Sequence, residues 1–196
     1  MILNVHPHVN PKLTALLREL GPVWRKNLLG VGANGLKVCL RRYLRNETQK
    51  RHTTARTLGG TPTGHIQKGV ARIAVCDQDD LHASVIVPIA GIQRAFGDLT
   101  ITAKKAQALT IPVSGASYGH RVRELKRMGW TVFRPKGHDY LMGSHDGEAA
   151  QLLYSLRRKV IVRKDRTLLP SDNEIADSIN RPTVRAVKAA LERSAG

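Results

Sequence analysis

The sequence predicts an α+β protein, on three observations. Apolar residues recur at helical spacing near both ends of the chain, short β-branched runs fill the middle from residue 84 to 113, and a long hairpin pattern runs from Tyr140 to Arg163. Helices and strands that group rather than alternate mark the α+β class. At 196 residues the length suits one domain over 1–196. Its parts are an N-terminal arm over 1–35, a core over 36–180 and a basic helical tail over 181–196.

Asn10-Pro11 is a helix start, followed by Leu13, Leu16, Leu17 and Leu20 at i, i+3, i+4, i+7 and stopped by Gly21-Pro22. A second helix shows Leu36, Cys39, Leu40, Tyr43 and Leu44 as one stripe, with Lys37, Arg41, Arg42 and Arg45 opposite, and runs on toward Thr54. Ile66, Val70, Ile73 and Ala74 give a third stripe, and the DQDD run at 77–80 turns the chain. Strands follow in SVIVPI (84–89), DLTIT (98–102) and ALTIPV (108–113), with Pro88 and Pro112 at edge or terminal positions. A short basic helix over 118–128 ends at Gly129, and WTVF (130–133) is a further strand. In the hairpin's second arm Leu152, Tyr154, Leu156, Val160 and Val162 share one side, and Arg157, Lys159 and Arg163 share the other. Ser171 and Glu174 form a capping box for the last helix, Ile175 and Ile179 supply its apolar face, and Pro182 breaks or kinks it. Val184, Val187 and Leu191 continue a basic segment beyond the proline.

Composition excludes global disorder: 41% of residues are hydrophobic and 24% charged, while 4% aromatic residues leave the core to Leu, Ile, Val and Ala. Lys and Arg number 32 against 15 Asp and Glu, a net charge of +17 that attracts polyanions, whether nucleic acid or acidic protein. Cys39 and Cys76 make no disulfide framework or metal spacing and read as small core residues. The N-terminus lacks the pattern of a signal peptide, and no apolar run approaches the roughly 20 residues that span a bilayer.

Two glycine motifs suggest nucleotides and fail on context. GVGANG (30–35) matches G-x-G-x-x-G, but Arg25, Lys26 and Asn27 precede it where a buried strand is required, so a flexible helix-helix connection is expected. GGTPTGHI (59–66) copies P-loop glycine spacing with His65 for the lysine and Ile66 for the magnesium-binding hydroxyl, and a helix precedes it. A glycine turn remains, with Thr61 or Thr63 free to cap the next helix. No nucleophile-base pair, carboxylate pair or ligand cluster emerges, so neither enzyme activity nor a cofactor is expected.

Basic residues gather in three groups: Arg41, Arg42 and Arg45; Arg121, Arg123, Lys126 and Arg127; and Arg157, Arg158, Lys159, Arg163 and Lys164. The second and third are the candidate contacts for nucleic acid or an acidic partner. No helix-turn-helix, zinc finger or aromatic RNA-binding sheet accompanies them. A cellular nucleic-acid-binding protein of ribonucleoprotein type is the alternative that charge alone supports.

The runs RHTTARTLGGTPTGHIQKGV (51–70), GIQRAFGDLTI (91–101), ALTIPVSGASYGHR (108–121) and LLYSLRRKVIVRKDRTLLPSDNEI (152–175) together resemble tailed-bacteriophage virion-morphogenesis proteins of the neck and tail-completion type. The likeness covers residues 36–180 in order. It implies a long helix packed on an antiparallel sheet with projecting hairpins, and a homo-oligomeric ring, dodecamer or hexamer, around the DNA passage. The implied partners are portal or adaptor proteins, tail proteins and DNA in the channel, in a virion assembled in the host cytoplasm. It implies no catalytic residue. A basic surface departs from the acidic lining such channels often have.

Overall fold

The structure, a computed structural model, describes residues 2–5, 21–50, 53–104 and 106–194. The helix expected over 10–20 lies outside the described residues. The protein is α+β, and its contacts divide the chain into two compact units where the sequence suggested one domain. The first unit comprises Met1–Gln49, His65–Phe96 and Asp165–Gly196; the second comprises Lys50–Gly64 and Gly97–Lys164.

In the first unit β1 (Ile2–Val5), β2 (Ala74–Gln78) and β3 (Ala83–Ile86) form an antiparallel sheet with β3 in the centre. The long helix α1 (Pro22–Lys50) packs Leu29, Ala33, Leu36, Leu40 and Leu44 against Ala83, Val85 and Val87. These spacings of three and four residues keep one stripe turned to the core for four turns. The unit is completed by α3 (His65–Ala71), 3-10 turns at Ile92–Ala95 and Arg166–Leu168, and the terminal helix α5 (Asp172–Ser194). Cys39 is buried, as expected; Cys76, in β2, is half-buried.

The first correction concerns residues 22–35: α1 begins at Pro22 and runs without interruption through GVGANG, which is no flexible connection. Glycine disfavours a helix by about 1 kcal/mol each, and close packing offsets that cost. A Cβ on Gly35 would lie 2.1 Å from the Ser178 carbonyl oxygen, and one on Gly32 would lie 3.0 Å from Ile179 Cγ2. The glycines are the floor on which α5 rests. The second correction concerns Pro182, which lies inside a continuous α5 rather than ending it. Proline has no N–H for the Ser178 carbonyl four residues back, and Gly35 lets that carbonyl lie flat against α1. Thr183 adds a buried hydroxyl bond to the Ile179 carbonyl at 2.7 Å. The capping box stands as read: the Ser171 N–H donates to Glu174 Oε2 at 2.9 Å and the Glu174 N–H to Ser171 Oγ at 3.3 Å.

In the second unit β5 (Leu109–Pro112), β6 (Thr131–Phe133), β7 (Tyr140–Ser144) and β8 (Gln151–Arg157) form an antiparallel sheet in the order β5-β8-β7-β6. Pro112 closes an edge strand, where its missing N–H costs no ladder bond. Leu125 of the short helix α4 (Val122–Arg127) meets Leu153 and Tyr154 in a small core with Val122, Trp130 and Leu141. The basic helix expected over 118–128 is therefore shorter, because turns occupy 118–120. Gly129 follows it at φ +89°, as a helix stop requires. The unit also contains α2 (Thr53–Leu58).

The hairpin's second arm is corrected twice. Alternation fails at its start, where Leu152 is 45% exposed and Leu153 fully buried. Leu141 pairs with Tyr154 while Met142 pairs with Leu152, so Leu153 is the extra residue of a bulge and turns inward beside Tyr154. The arm then changes sheets at Arg158: β8 belongs to the four-stranded sheet, whereas β9 (Lys159–Val162) pairs, among the described residues, only with β4 (Leu99–Thr102) in a separate ribbon.

Candidate functional site

The ribbon forms because the chain enters and leaves the second unit side by side. Leu99 pairs with Val162, Thr100 with Ile161, Ile101 with Val160 and Thr102 with Lys159. Asp98 closes its base: one carboxylate oxygen accepts from the Lys164 N–H at 2.7 Å and the other from Arg163 Nη1 at 2.9 Å. The Lys164 amide, and then the Arg163 guanidinium, hold the Asp98 carboxyl below the usual carboxylate range. At the other end the Ala103 N–H donates to the Arg158 carbonyl at 3.2 Å, and Leu109 pairs with Arg157. Ala103 and Leu109 thus meet neighbouring residues of the partner strand, Arg158 and Arg157.

Arg157, Arg158, Lys159 and Arg163 are all exposed. The first three stand at the corner where β8 passes into β9. Lys104, which the sequence reading did not single out, is exposed and follows Ala103, the residue bonded to the Arg158 carbonyl. Register was the missing signal, since 103 and 158 are distant in sequence. Among the described residues Arg157, Arg158 and Lys159 make no ion pair, and Arg163 is held by Asp98.

Arg121, Arg123, Lys126 and Arg127 are likewise exposed, on and just before α4. Arg123, Lys126 and Arg127 fall at i, i+3, i+4 and share a side, while Leu125 anchors the helix. The Arg121 N–H donates to Glu124 Oε2 at 2.8 Å. That bond, then the charges of Arg121, Arg123 and His120, keep the Glu124 carboxyl below its ordinary value. This group and the ribbon group sit on different elements, and no hydrogen bond or ion pair joins them among the described residues. Of the first group, Arg41 is structural: its Nη2 donates to the Ala71 and Ile73 carbonyls at 3.2 and 2.7 Å.

The charge has a location that composition could not give. The second unit carries 16 Lys and Arg against 5 Asp and Glu, a net of +11 out of the chain's +17. Of the glycines in the turn at 59–64, between α2 and α3, Gly60 is engaged in packing, since a Cβ there would meet Tyr118 Cβ at 2.9 Å, whereas one on Gly59 would meet nothing within 4 Å. Gly115 packs against the same stretch, where a Cβ would meet the Leu58 carbonyl at 2.6 Å. A cleft of about 390 Å³ in the first unit is lined by Tyr43, Arg166, Ser171, Asp172 and Glu174, among others. Its polar groups are engaged within the cleft: Arg166 pairs with Asp172, the Ser171 hydroxyl donates to Glu174 and the Tyr43 hydroxyl to the Thr167 carbonyl. Among the described residues no group of three His, Cys, Asp or Glu is placed to hold a metal ion, and no helix is long and apolar enough to cross a membrane.

No family model matches this chain, and no curated protein or solved structure matches it either.

Proposed function

We propose that this chain is a structural protein of a tailed-phage virion, a subunit of a homo-oligomeric ring in the neck or at the top of the tail. The ring joins portal-side proteins to the tail and surrounds the DNA channel. The observation that carries this reading is the β4–β9 ribbon. Each of its strands has one neighbour among the described residues, so each keeps a free edge, and Ile101 is 42% exposed beside it. Free edges are satisfied by a strand from another chain, and one head-to-tail contact repeated about an axis closes a ring. The resemblance over residues 36–180 supports the same assignment.

Negative-stain microscopy and mass measurement of the purified protein test it. Rings are expected, and Ile101→Lys, which places a charge at the edge, should yield free subunits. A monomer at high concentration that is also missing from particles would overturn the reading. The concentration of +11 in the second unit favours one rival, a cellular nucleic-acid-binding protein. That rival binds nucleic acid as a monomer and forms no ring.

A further inference from the structure

The ribbon has two unlike faces. Directly opposed residues of an antiparallel pair project to the same side, so Thr102 with Lys159 and Thr100 with Ile161 share one face. All four are exposed. Stepping by two along the strand adds Arg163 after them, at about 7 Å per step, while Arg157, the last residue of β8 in the other sheet, and Arg158 stand at the bend just before them. The reverse face carries Leu99, Ile101, Val160 and Val162, of which all but Ile101 are half-buried. One carboxylate borders the exposed face, that of Asp98, and both its oxygens are already occupied.

We propose that this face binds the phosphate backbone of duplex DNA without reading its sequence. Three features select a nucleic acid over an acidic protein. Lys159 stands opposite Thr102, with the Thr100 hydroxyl two residues along the same face and Arg163 at its end, and hydroxyl, guanidinium and ammonium donors are the groups that hold phosphate oxygens. The face has no aromatic side chain, and Ile161 is its one apolar residue, so it lacks the buried anchors on which protein interfaces depend. A two-stranded ribbon is also one of the two elements that the major groove, about 12 Å wide, admits. The exposed cations Arg157, Arg158 and Lys104 adjoin its Thr102–Lys159 end in the chain. The inference deepens the ring reading by naming the partner of its ribbon, and its test does not require a ring.

Fluorescence anisotropy with a short blunt DNA duplex, titrated at several salt concentrations, tests it. With about four phosphates neutralised, the log-log salt slope should lie near −3.6, so affinity should fall roughly a hundredfold between ~50 and ~200 mM salt. Arg157→Gln with Lys159→Gln should make that slope shallower by about 1.8. Arg185→Gln with Lys188→Gln removes the same charge from exposed positions of α5 and should leave the slope unchanged. Circular dichroism of both variants confirms that the fold is retained. The proposal is overturned if duplex does not bind at ~50 mM salt, if the two double variants weaken binding equally, or if polyglutamate of matched charge displaces the duplex as well as unlabelled DNA does. Rings without DNA binding would defeat this inference and leave the ring reading standing; binding by a persistent monomer would do the reverse.

Discussion

Gly35 of α1 and Pro182 of α5 are partners: a Cβ on the glycine would lie 2.8 Å from Pro182 Cγ and 2.1 Å from the carbonyl of Ser178. That carbonyl is the one whose intrahelical donor the proline removes. Each residue is unfavourable for its own helix, and each makes sense as one half of the contact between them.

Gly35→Ala is therefore expected to destabilise the protein. Helix propensity would favour alanine by about 1 kcal/mol, but a backbone carbonyl cannot yield as a side chain can, and overpacking costs roughly 1–3 kcal/mol, occasionally more. Gly30→Ala meets only the carboxamide of Gln78, at 2.2 Å from its Nε2, which can swing aside at the loss of one bond to the Lys26 carbonyl. Urea denaturation should rank Gly35→Ala clearly below Gly30→Ala. The reverse order would contradict the glycine floor.

The bulge in β8 makes an opposite pair of predictions for adjacent leucines. Leu153→Ala empties a fully buried site beside Tyr154 and Leu125 and should cost about 2–5 kcal/mol. Leu152→Ala, at a 45% exposed position, should stay within about 1 kcal/mol. Simple alternation from Tyr154 predicts the opposite ranking, so thermal denaturation of the two variants distinguishes them.

Stability should fall in acid through two engaged carboxylates. Glu174 is held below its ordinary value by the Ser171 N–H and then the Ser171 hydroxyl, and Asp98 by the Lys164 N–H and then Arg163. A group whose folded pKa is depressed contributes stability that is full above its unfolded value and is lost as pH falls through the folded one. Tm should thus be flat near neutrality and decline below about pH 4. Asp98→Asn with Glu174→Gln should lower the plateau and flatten that decline. Ser171→Ala should cost about 0.5–2 kcal/mol and flatten it in part.

Neither thiol is activated. Burial raises the Cys39 pKa, and desolvation, followed by the neighbouring Asp77 charge, raises that of Cys76. Iodoacetamide at neutral pH should label both slowly, Cys76 before the buried Cys39, with labelling accelerating as pH rises. Rapid modification of Cys39 in the folded protein would mean that α1 opens locally.

By itself the sequence determined what depends on near neighbours along the chain. The apolar stripe from Leu36 to Leu44, the Ser171–Glu174 box, the stop at Gly129 and the strands read at 84–89, 98–102 and 108–113, which the structure places at Ala83–Ile86, Leu99–Thr102 and Leu109–Pro112, follow from periods of 3.6 and 2 and from local capping chemistry, which a window of a few residues contains. Of the cations read as one side of a single arm, Arg157 ends β8 in one sheet and Lys159 begins β9 in another, a break that local pattern does not contain. Tertiary structure decided everything in which one segment answers another far away. Only the approach of α5 explains why GVGANG is helical and why Pro182 does not end a helix, and only the pairing of β7 with β8 reveals Leu153 as the inward residue. Only the register of β4 on β9 brings Ala103 to Arg158, and only the division into units shows that most of the net charge lies in the second. Local pattern specifies an element because its hydrogen bonds close within it. The side a residue faces, and the cost of its missing atoms, are set by whatever packs there.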